Sequence, residues 1–562
     1  ESIIGTTYYD LQTNKCLANR FYVYDDGTMG AVWTMGLQAT AFADRGTGYN
    51  FFNGSTWGAT PAARIETFRA GWPSYAPLGP DGEMVVSHDF STHTLYFNSR
   101  PVKGAGAWTQ SAYTYSAGPT SLSWPRMITS GEEQQTIHLL ANSFEAYEGM
   151  TTATVYSRSL NGGITWTDEN VLLDGTGPDS YLEITADSYI WAEPQDNTIA
   201  FLVASAFHDL FMMKSTDNGD TWEKTVIWEH PYPFFDWEVT VTDTFFCVDN
   251  SAFIALDNDG KAHVVFGINR VLHDVVGTTY SLFPFVDGIG YWNEDMPPFS
   301  NDLNALAPPQ YGYPNSEMEE NYNFIGWTQD VDGDGEVTFI TTATGFPMYY
   351  REMGISTMPA ITVADDGTKV VVFSSTTETF DNFEFNFKHI WARAYQNGAW
   401  GPFVDLTSEI VHIFDECIYP VFGRITGDNF HILYNADSYP GNAVDGDHDY
   451  TENRMVHAMI PIGELLTGIN EESPGFEESQ VQQNFPNPFT ESSRVRIDLT
   501  SSEDLTMEVR NSLGQLVQYT DKGHARPGTH FITIDGTGLS KGLYFYTVRA
   551  GKHSVTRKMI FN

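Results

Sequence analysis

The chain has 562 residues, with 72 Asp and Glu against 29 Lys and Arg, for a formal net charge of −43. So large an excess of carboxylates excludes a nucleic-acid partner, whose binding relies on cationic side chains that displace counterions, and it disfavours anionic membrane surfaces. No apolar run reaches the roughly 18 residues of a membrane span, and three cysteines, Cys16, Cys247 and Cys417, are too few for a disulfide framework.

The chain opens at Glu1 directly into a strand-like segment, residues 2–9, with no visible signal peptide. That start reads as a mature form from which an export signal has been cut. A recurrent cassette follows, in which a turn, commonly Asp-Gly, leads into an apolar strand. It appears at Asp26-Gly27 before Ala31-Val32-Trp33, and at Asp81-Gly82 before Met84-Val85-Val86. It returns at Asp259-Gly260 before Val264-Val265-Phe266, and at Asp366-Gly367 before residues 370–373. Weaker copies precede 137–140, 199–203 and 431–434, which brings the cassettes to seven.

A second half of the cassette is Ser215-Thr216-Asp217-Asn218-Gly219-Asp220-Thr221-Trp222, with a near copy from Ser159 through Asn161 and Gly163 to Trp166. Asp or Asn bonds back to the turn backbone, Gly takes the positive φ, and Trp packs the hairpin end between sheets. Eroded versions end at Trp57, Trp108 and Trp400. These hairpins resemble the Asp-box (BNR repeat) of sialidase-like β-propellers. The fold class is therefore all-β: a propeller of seven blades, six or eight being the alternatives, over residues 1–462. The strand at 2–9 is expected to complete the last blade beside 455–460. Each cysteine precedes an inner strand, where a buried free thiol acts as a small hydrophobe. Free thiols are expected, although Cys16 and Cys417 could pair if the first and last repeats adjoin.

A stretch at about 293–349 lacks a clear cassette and reads as an insertion, the kind of long loop that carries function. Within it, Asp330, Asp332, Asp334 and Glu336 alternate around Gly333 and Gly335, a spacing that can converge oxygens on a structural Ca2+. Thr341 stands where an EF-hand places its bidentate Glu, so such a site must borrow ligands from elsewhere. Asp445-Gly446-Asp447-His448-Asp449, with Glu452 nearby, is a weaker second candidate.

Aromatic residues recur before inner strands, at Gly71-Trp72-Pro73-Ser74, Ser123-Trp124-Pro125-Arg126 and Ile418-Tyr419-Pro420. Trp72, Trp124 and Tyr419, with Arg126 and Arg424, are the candidate ligand-binding residues. Interblade packing is the competing reading of the aromatics. Sialidase-like enzymes grip a substrate carboxylate with three Arg beside a Tyr–Glu pair and an Asp acid/base. Arg20, Arg126 and Arg424 fall near inner strands, but the family's N-terminal Arg-Ile-Pro is missing, and Arg64-Ile65-Glu66 is no substitute. Glu183, Glu193, Asp236, Glu238, Asp415 and Glu416 could supply a glycosidase pair. His88, His138, His208 and His263 show no metal-ligand spacing.

Residues 463–482, with Glu471-Glu472-Ser473-Pro474-Gly475, read as a linker. Beyond it lie Asn-Phe-Pro-Asn-Pro-Phe at 484–489, Gly542-Leu543-Tyr544 after Leu539-Ser540-Lys541, and the closing Lys558-Met559-Ile560-Phe561-Asn562. With the alternating runs between them, these resemble the type A C-terminal sorting domain of the type IX secretion system, over residues 483–562. Residues 481–562 carry 10 Lys and Arg against 7 Asp and Glu, which leaves 19 against 65, or −46, for residues 1–480. The resemblance implies a small β-sandwich, engagement with the type IX export machinery, and delivery to the surface or outside of a Gram-negative cell. The sequence reads as an exported binding, adhesion or structural surface protein whose partners are extracellular glycans or copies of itself. The alternative is an extracellular, sialidase-like glycoside hydrolase. A peptidase ranks last, since no nucleophile elbow or zinc motif is present.

Overall fold

The computed structural model describes all residues except 18, 341–347, 467–479, 500–501, 513, 527 and 552. The chain divides into two compact units, Glu1–Leu466 and Thr467–Asn562. The expected linker lies mostly outside the described residues.

Among the described residues, the first unit holds seven antiparallel sheets in chain order, six with at least four strands and one with three. Their innermost strands are Phe21–Val23, Ala70–Leu78, Leu122–Ser130, Tyr189–Trp191, Phe245–Leu256, Ser356–Val363 and Glu416–Phe422, and these define blades 1 to 7. One cavity of about 1030 Å³ is lined by residues of all seven innermost strands, among them Tyr22, Tyr75, Thr129, Trp191, Ala255 and Thr362. Sheets that each turn their first strand to a shared axis make a seven-bladed propeller. The small cassettes set this geometry. Each Asp-Gly turn reverses the innermost strand into the second within a few residues, with Gly27, Gly260 and Gly367 at positive φ.

The ring closes as expected. Ser2–Thr7 pairs antiparallel with Asn453–Pro461, Ser2 opposite His457 and Thr7 opposite Asn453, and becomes the outer strand of blade 7. Trp33, fully buried in blade 1, lies against this closing strand. Glycine is required at two contacts, because a Cβ on Gly5 or on Gly48 would fall inside the Trp33 indole. All three cysteines are buried free thiols.

The stretch expected as an insertion contains the outer strand of blade 5, Phe324–Gly326, which pairs with Ile289–Asn293. The connection between them is packed rather than loose, with Ala305, Leu306 and Ala307 fully buried. Helix is confined, among the described residues, to Ile462–Leu466 and two short 3-10 turns.

The second unit is a β-sandwich. Ser492–Leu499 pairs with Gly528–Asp535, and a second sheet runs Leu516–Ala525, Glu503–Asn511, Gly542–Ala550, His553–Phe561. Val495, Ile497, Met507, Val509, Ile532 and Val548 alternate inward, as period-two strands with one buried face require. The Asn-Pro-Phe segment and the terminal Met-Ile-Phe depend on each other. Phe489 N donates to Ile560 O at 3.0 Å, Ile560 N donates to Asn487 Oδ1 at 2.8 Å, and Asn562 N donates to Phe489 O at 2.9 Å.

Closure through Trp33 gives a first test. Gly5→Ala should cost about 1–3 kcal/mol by overpacking, and Trp33→Ala about 3–5 kcal/mol by leaving a cavity. Urea unfolding of the full chain followed by far-UV circular dichroism measures both. A Gly5→Ala variant as stable as the parent would mean that the closing strand does not bear on Trp33.

Candidate functional site

At one end of the axis the tight first turns of the blades surround the large cavity, and acidic groups dominate its rim. Asp25, Asp365 and Asp366 line it, and Arg424 forms an ion pair with Asp25 there. Glu193 lines the same space.

The other two arginines singled out from the sequence are absorbed by the wall. Arg20 donates to Gln12 Oε1 at 3.1 Å and to Tyr419 O at 2.6 Å. Arg126 pairs with Asp187 at 2.5 Å, both side chains fully buried. Three arginines gripping one carboxylate are therefore not assembled.

Trp72, Trp124 and Tyr419 share a backbone device. Each has positive φ (53°, 51° and 57°) and precedes a proline, and the pairing register of its innermost strand shifts there. Met358 and Asn250 repeat the bulge in blades 6 and 5, with φ of 51° and 71°. An extra residue in the left-handed region bends a strand and re-aims its neighbours. Trp72 is buried and stacks on His88 with ring centroids 5.5 Å apart, and it meets Trp124 edge-on at 6.2 Å. Tyr419 is also buried, its hydroxyl donating to Asn442 Oδ1 at 3.3 Å.

Segments from several separate parts of the chain enclose a cleft of about 120 Å³ beside blade 4. The strap after the closing strand supplies Lys15, whose Nζ donates to Thr185 Oγ1 at 2.7 Å. The loop entering blade 4 supplies Glu183, whose Oε1 accepts from Trp237 Nε1 at 3.1 Å. Glu352, ahead of blade 6, accepts from Tyr280 Oη and from Asn250 Nδ2, the latter at 3.2 Å. Burial and the Glu352 charge push the Tyr280 phenol well above its ordinary range. Phe207, Trp237 and Tyr280 form one aromatic wall, with Phe207 to Trp237 at 4.5 Å and Phe207 to Tyr280 at 5.0 Å between centroids.

His208, in the hairpin between the second and third strands of blade 4, completes the cleft. Its Nδ1 lies 2.8 Å from Asp209 O, and a carbonyl can only accept, so Nδ1 carries the proton. Nε2 is then a lone pair, and it is buried without a hydrogen-bond partner. Burial lowers the His208 pKa to about 4, which keeps the ring neutral at ordinary pH. A neutral imidazole acceptor, two carboxylates held by aromatic donors, one ammonium and an apolar wall can grip a polyhydroxylated ligand and move a proton on it.

Sequence reasoning named Glu183 and His208 among many acids and histidines but missed Glu352, Tyr280, Trp237 and Lys15. No local spacing links them, because they meet only through loops of separate blades. Of the remaining acids, Glu416 accepts from Tyr350 Oη at 2.7 Å in the core, Asp415 pairs with His412 at 2.8 Å, and Asp236 caps the Glu238 amide at 2.9 Å.

The expected calcium loop converges in part. Oxygens of Asp330 and Asp332 lie within 4.8 Å of one another and of an oxygen of Glu378, which the sequence did not point to. Asp334 caps the Glu336 amide at 2.9 Å instead, and Thr341 lies outside the described residues. The Asp332 carboxyl is raised by desolvation and by the neighbouring charges of Asp334, Glu378 and Asp330. Glu378 itself is buried and accepts from Val331 N at 3.1 Å and Thr338 N at 2.7 Å.

The tryptophan-tipped hairpins do structural work away from the cleft. Asp217 accepts from Thr221 N at 2.8 Å and from Thr221 Oγ1 at 2.6 Å, and Asn161 accepts from Thr165 N at 2.9 Å.

Residues 483–562 match the family described as "Secretion system C-terminal sorting domain". This tail belongs to the type IX route, so the protein is exported to the surface or outside of a Gram-negative cell and engages that machinery. No helix among the described residues is long and apolar enough to cross a membrane. No curated protein matches the sequence. Among solved structures, a PL25 ulvan lyase bound to -[GlcA(1-4)Rha3S]- is 10% identical with a TM-score of 0.41, over 82% of this chain and 99% of that one. The GH93 α-L-arabinofuranosidase of Fusarium graminearum with arabinobiose is 12% identical, TM-score 0.35, over 83% and 98%. A Trypanosoma rangeli sialidase mutant with trans-sialidase activity is 10% identical, TM-score 0.30, over 100% and 88%. The propeller assignment rests on the sheet topology and not on these likenesses.

Proposed function

We propose that this exported propeller binds an extracellular glycan in the cleft beside blade 4 and cleaves it there. The observation that carries the reading is the meeting of Glu183, Glu352 and the unpartnered Nε2 of His208 in one aromatic-walled cleft. Glycan cleavage needs a group that gives a proton and one that takes it. Glu352 is coupled to the Tyr280 hydroxyl, Glu183 is oriented by Trp237, and His208 offers a lone pair. The aromatic wall supplies faces for sugar rings.

Incubation with a panel of neutral and acidic polysaccharides, read by new reducing ends and by absorbance of unsaturated products, tests the proposal and separates hydrolysis from elimination. Glu352→Gln and His208→Ala should each lower kcat by about 100-fold or more, whereas Trp237→Ala should chiefly raise KM. Equal rates in Glu352→Gln and the parent would end the catalytic reading. Retention of a glycan in affinity electrophoresis without turnover, lost in Trp237→Ala, would leave the binding reading that the aromatic wall alone supports.

The pH dependence follows from His208. Its folded pKa of about 4 means that the ring is neutral above that value and loses its acceptor as pH falls through it. The acidic limb of kcat/KM should therefore lie near pH 4 and not near the ordinary histidine value of about 6.5. An acidic limb at 6.5 would put a different, solvated histidine in that role.

Calcium enters the same reading as a structural ion held by Asp330, Asp332 and Glu378. Millimolar Ca2+ added to chelator-treated protein should raise Tm by several degrees, and Asp332→Asn should remove the shift. An unchanged Tm in the parent protein disposes of the ion.

A further inference from the structure

We propose a second metal site, for a divalent cation of the Zn2+ or Mn2+ class, made by Asp10, Asp437 and His448 at the seam where the ring closes. Asp10 lies on the strap directly after the closing strand Ser2–Thr7, Asp437 ends the second strand of blade 7, Asn429–Asp437, and His448 belongs to the loop that follows it. One ligand atom from each of the three lies within 4.8 Å of the others. His448 Nε2 is 3.8 Å from Asp10 Oδ2 and 3.8 Å from Asp437 Oδ2.

Both carboxylates are fully buried. Each charge in such a position has to be met by donors or by a cation, because an unpaired buried ion costs several kcal/mol, on the order given for breaking a buried pair. Asp10 is met in part, by the amides of Ala443 and Val444. Asp437 Oδ1 accepts from Thr451 Oγ1 at 2.9 Å and from Tyr439 N at 3.3 Å. Asp437 Oδ2 has no hydrogen-bond partner and lies 3.8 Å from His448 Nε2, which is itself 3.8 Å from Asp10 Oδ2. Among the described residues, neither carboxylate has a Lys or Arg ion partner, and His448 is the one cationic candidate near both.

His448 is oriented as a ligand. Its Nδ1 lies 2.8 Å from Asp449 O and so carries the proton, an outer contact that fixes a metal-binding imidazole with Nε2 as the lone pair. Tyr439 stacks on the ring at 5.5 Å and limits its rotation. Two carboxylate oxygens and one imidazole nitrogen suit Zn2+ or Mn2+, whose ligands sit at about 2.0–2.2 Å. Ca2+ instead gathers six to eight oxygens, the chemistry of the Asp330 loop. The other way to satisfy the cluster is a doubly protonated His448, which would also reach Gly441 O at 3.3 Å.

The test is metal content and stability of the full chain. After chelator treatment and gel filtration, the protein should take up about one Zn2+ or Mn2+ per chain by plasma mass spectrometry, with Tm rising by several degrees. His448→Gln, in a loop, and Asp437→Asn should both lose the uptake and the shift, while Asp332→Asn should keep them. Undiminished uptake in His448→Gln overturns the site. So does a parent protein that binds neither ion and whose Tm neither ion moves, since the cluster is then held by a proton on His448. None of these readouts uses glycan cleavage, so they stand or fall separately from the cleft.

Discussion

The pairing of Ser2–Thr7 with Asn453–Pro461 is the constraint on which the rest of the propeller depends. Sheets arranged around an axis have no covalent reason to stay closed, and a ring that opens exposes the walls of its first and last blades to water. The closing strand joins residues about 450 positions apart in a single sheet, and Trp33 packs it against blade 1 through the space that Gly5 and Gly48 leave. The strap that follows extends the same function. Cys16 N donates to Asp187 O at 2.9 Å, Asn14 Nδ2 to Asp187 Oδ2 at 2.6 Å, and Arg20 reaches the carbonyl of Tyr419. Closing the ring thus also carries Lys15 to the cleft and Asp10 to blade 7.

Several of the buried carboxylates are structural. Asp187 is held by Arg126 and by Asn14 through N and Nδ2. Asp249, fully buried, accepts from Ser251 N and Oγ, Gly354 N and Thr357 Oγ1. A bulge in an innermost strand leaves backbone and hydroxyl donors out of the ladder, and a carboxylate nearby can gather several of them at once. Asp249 shows this at the Asn250 bulge, with Thr357 from the neighbouring blade tying blades 5 and 6 together. Against that background Asp437 stands out as a fully buried carboxylate with one oxygen left bare and a histidine nitrogen 3.8 Å from it.

The legible parts of the sequence were those whose physics is local. An Asp-Gly turn before an apolar strand, or an Asp that caps a hairpin ending in Trp, states its role within eight residues, and seven copies of the cassette state the ring. The X-Pro recurrence at Trp72, Trp124 and Tyr419 was equally visible, but its cause was not. Its common element is the left-handed residue of a bulge, and Met358 shares it without being aromatic. Glu352, Tyr280 and Trp237 carried no signal, because each lies in a loop whose only relation to the others is three-dimensional. Glu378 was hidden for the same reason, sitting on a strand of blade 6 while Asp330 and Asp332 lie in the connection before that blade.

The placement of the cleft follows from the two kinds of loop in the ring. At the end of the axis where innermost strands turn into second strands, the connections are turns of a few residues, Asp-Gly in blades 1, 2, 5 and 6, held by their own backbone hydrogen bonds. Gly27 N to Tyr24 O, Gly260 N to Asp257 O and Gly367 N to Ala364 O show the pattern. Such turns can line a cavity but cannot reach across it. At the bulged end the chain passes from one blade to the next, and between blades 4 and 5 it spends residues 229–244 doing so. Only these longer connections can bring a tryptophan from one loop over a glutamate from another. The bulges widen the same end by bending the innermost strands. A propeller that keeps its short turns at one end and its crossings at the other therefore concentrates adaptable side chains on one face, and that is where Glu183, His208, Tyr280 and Glu352 meet.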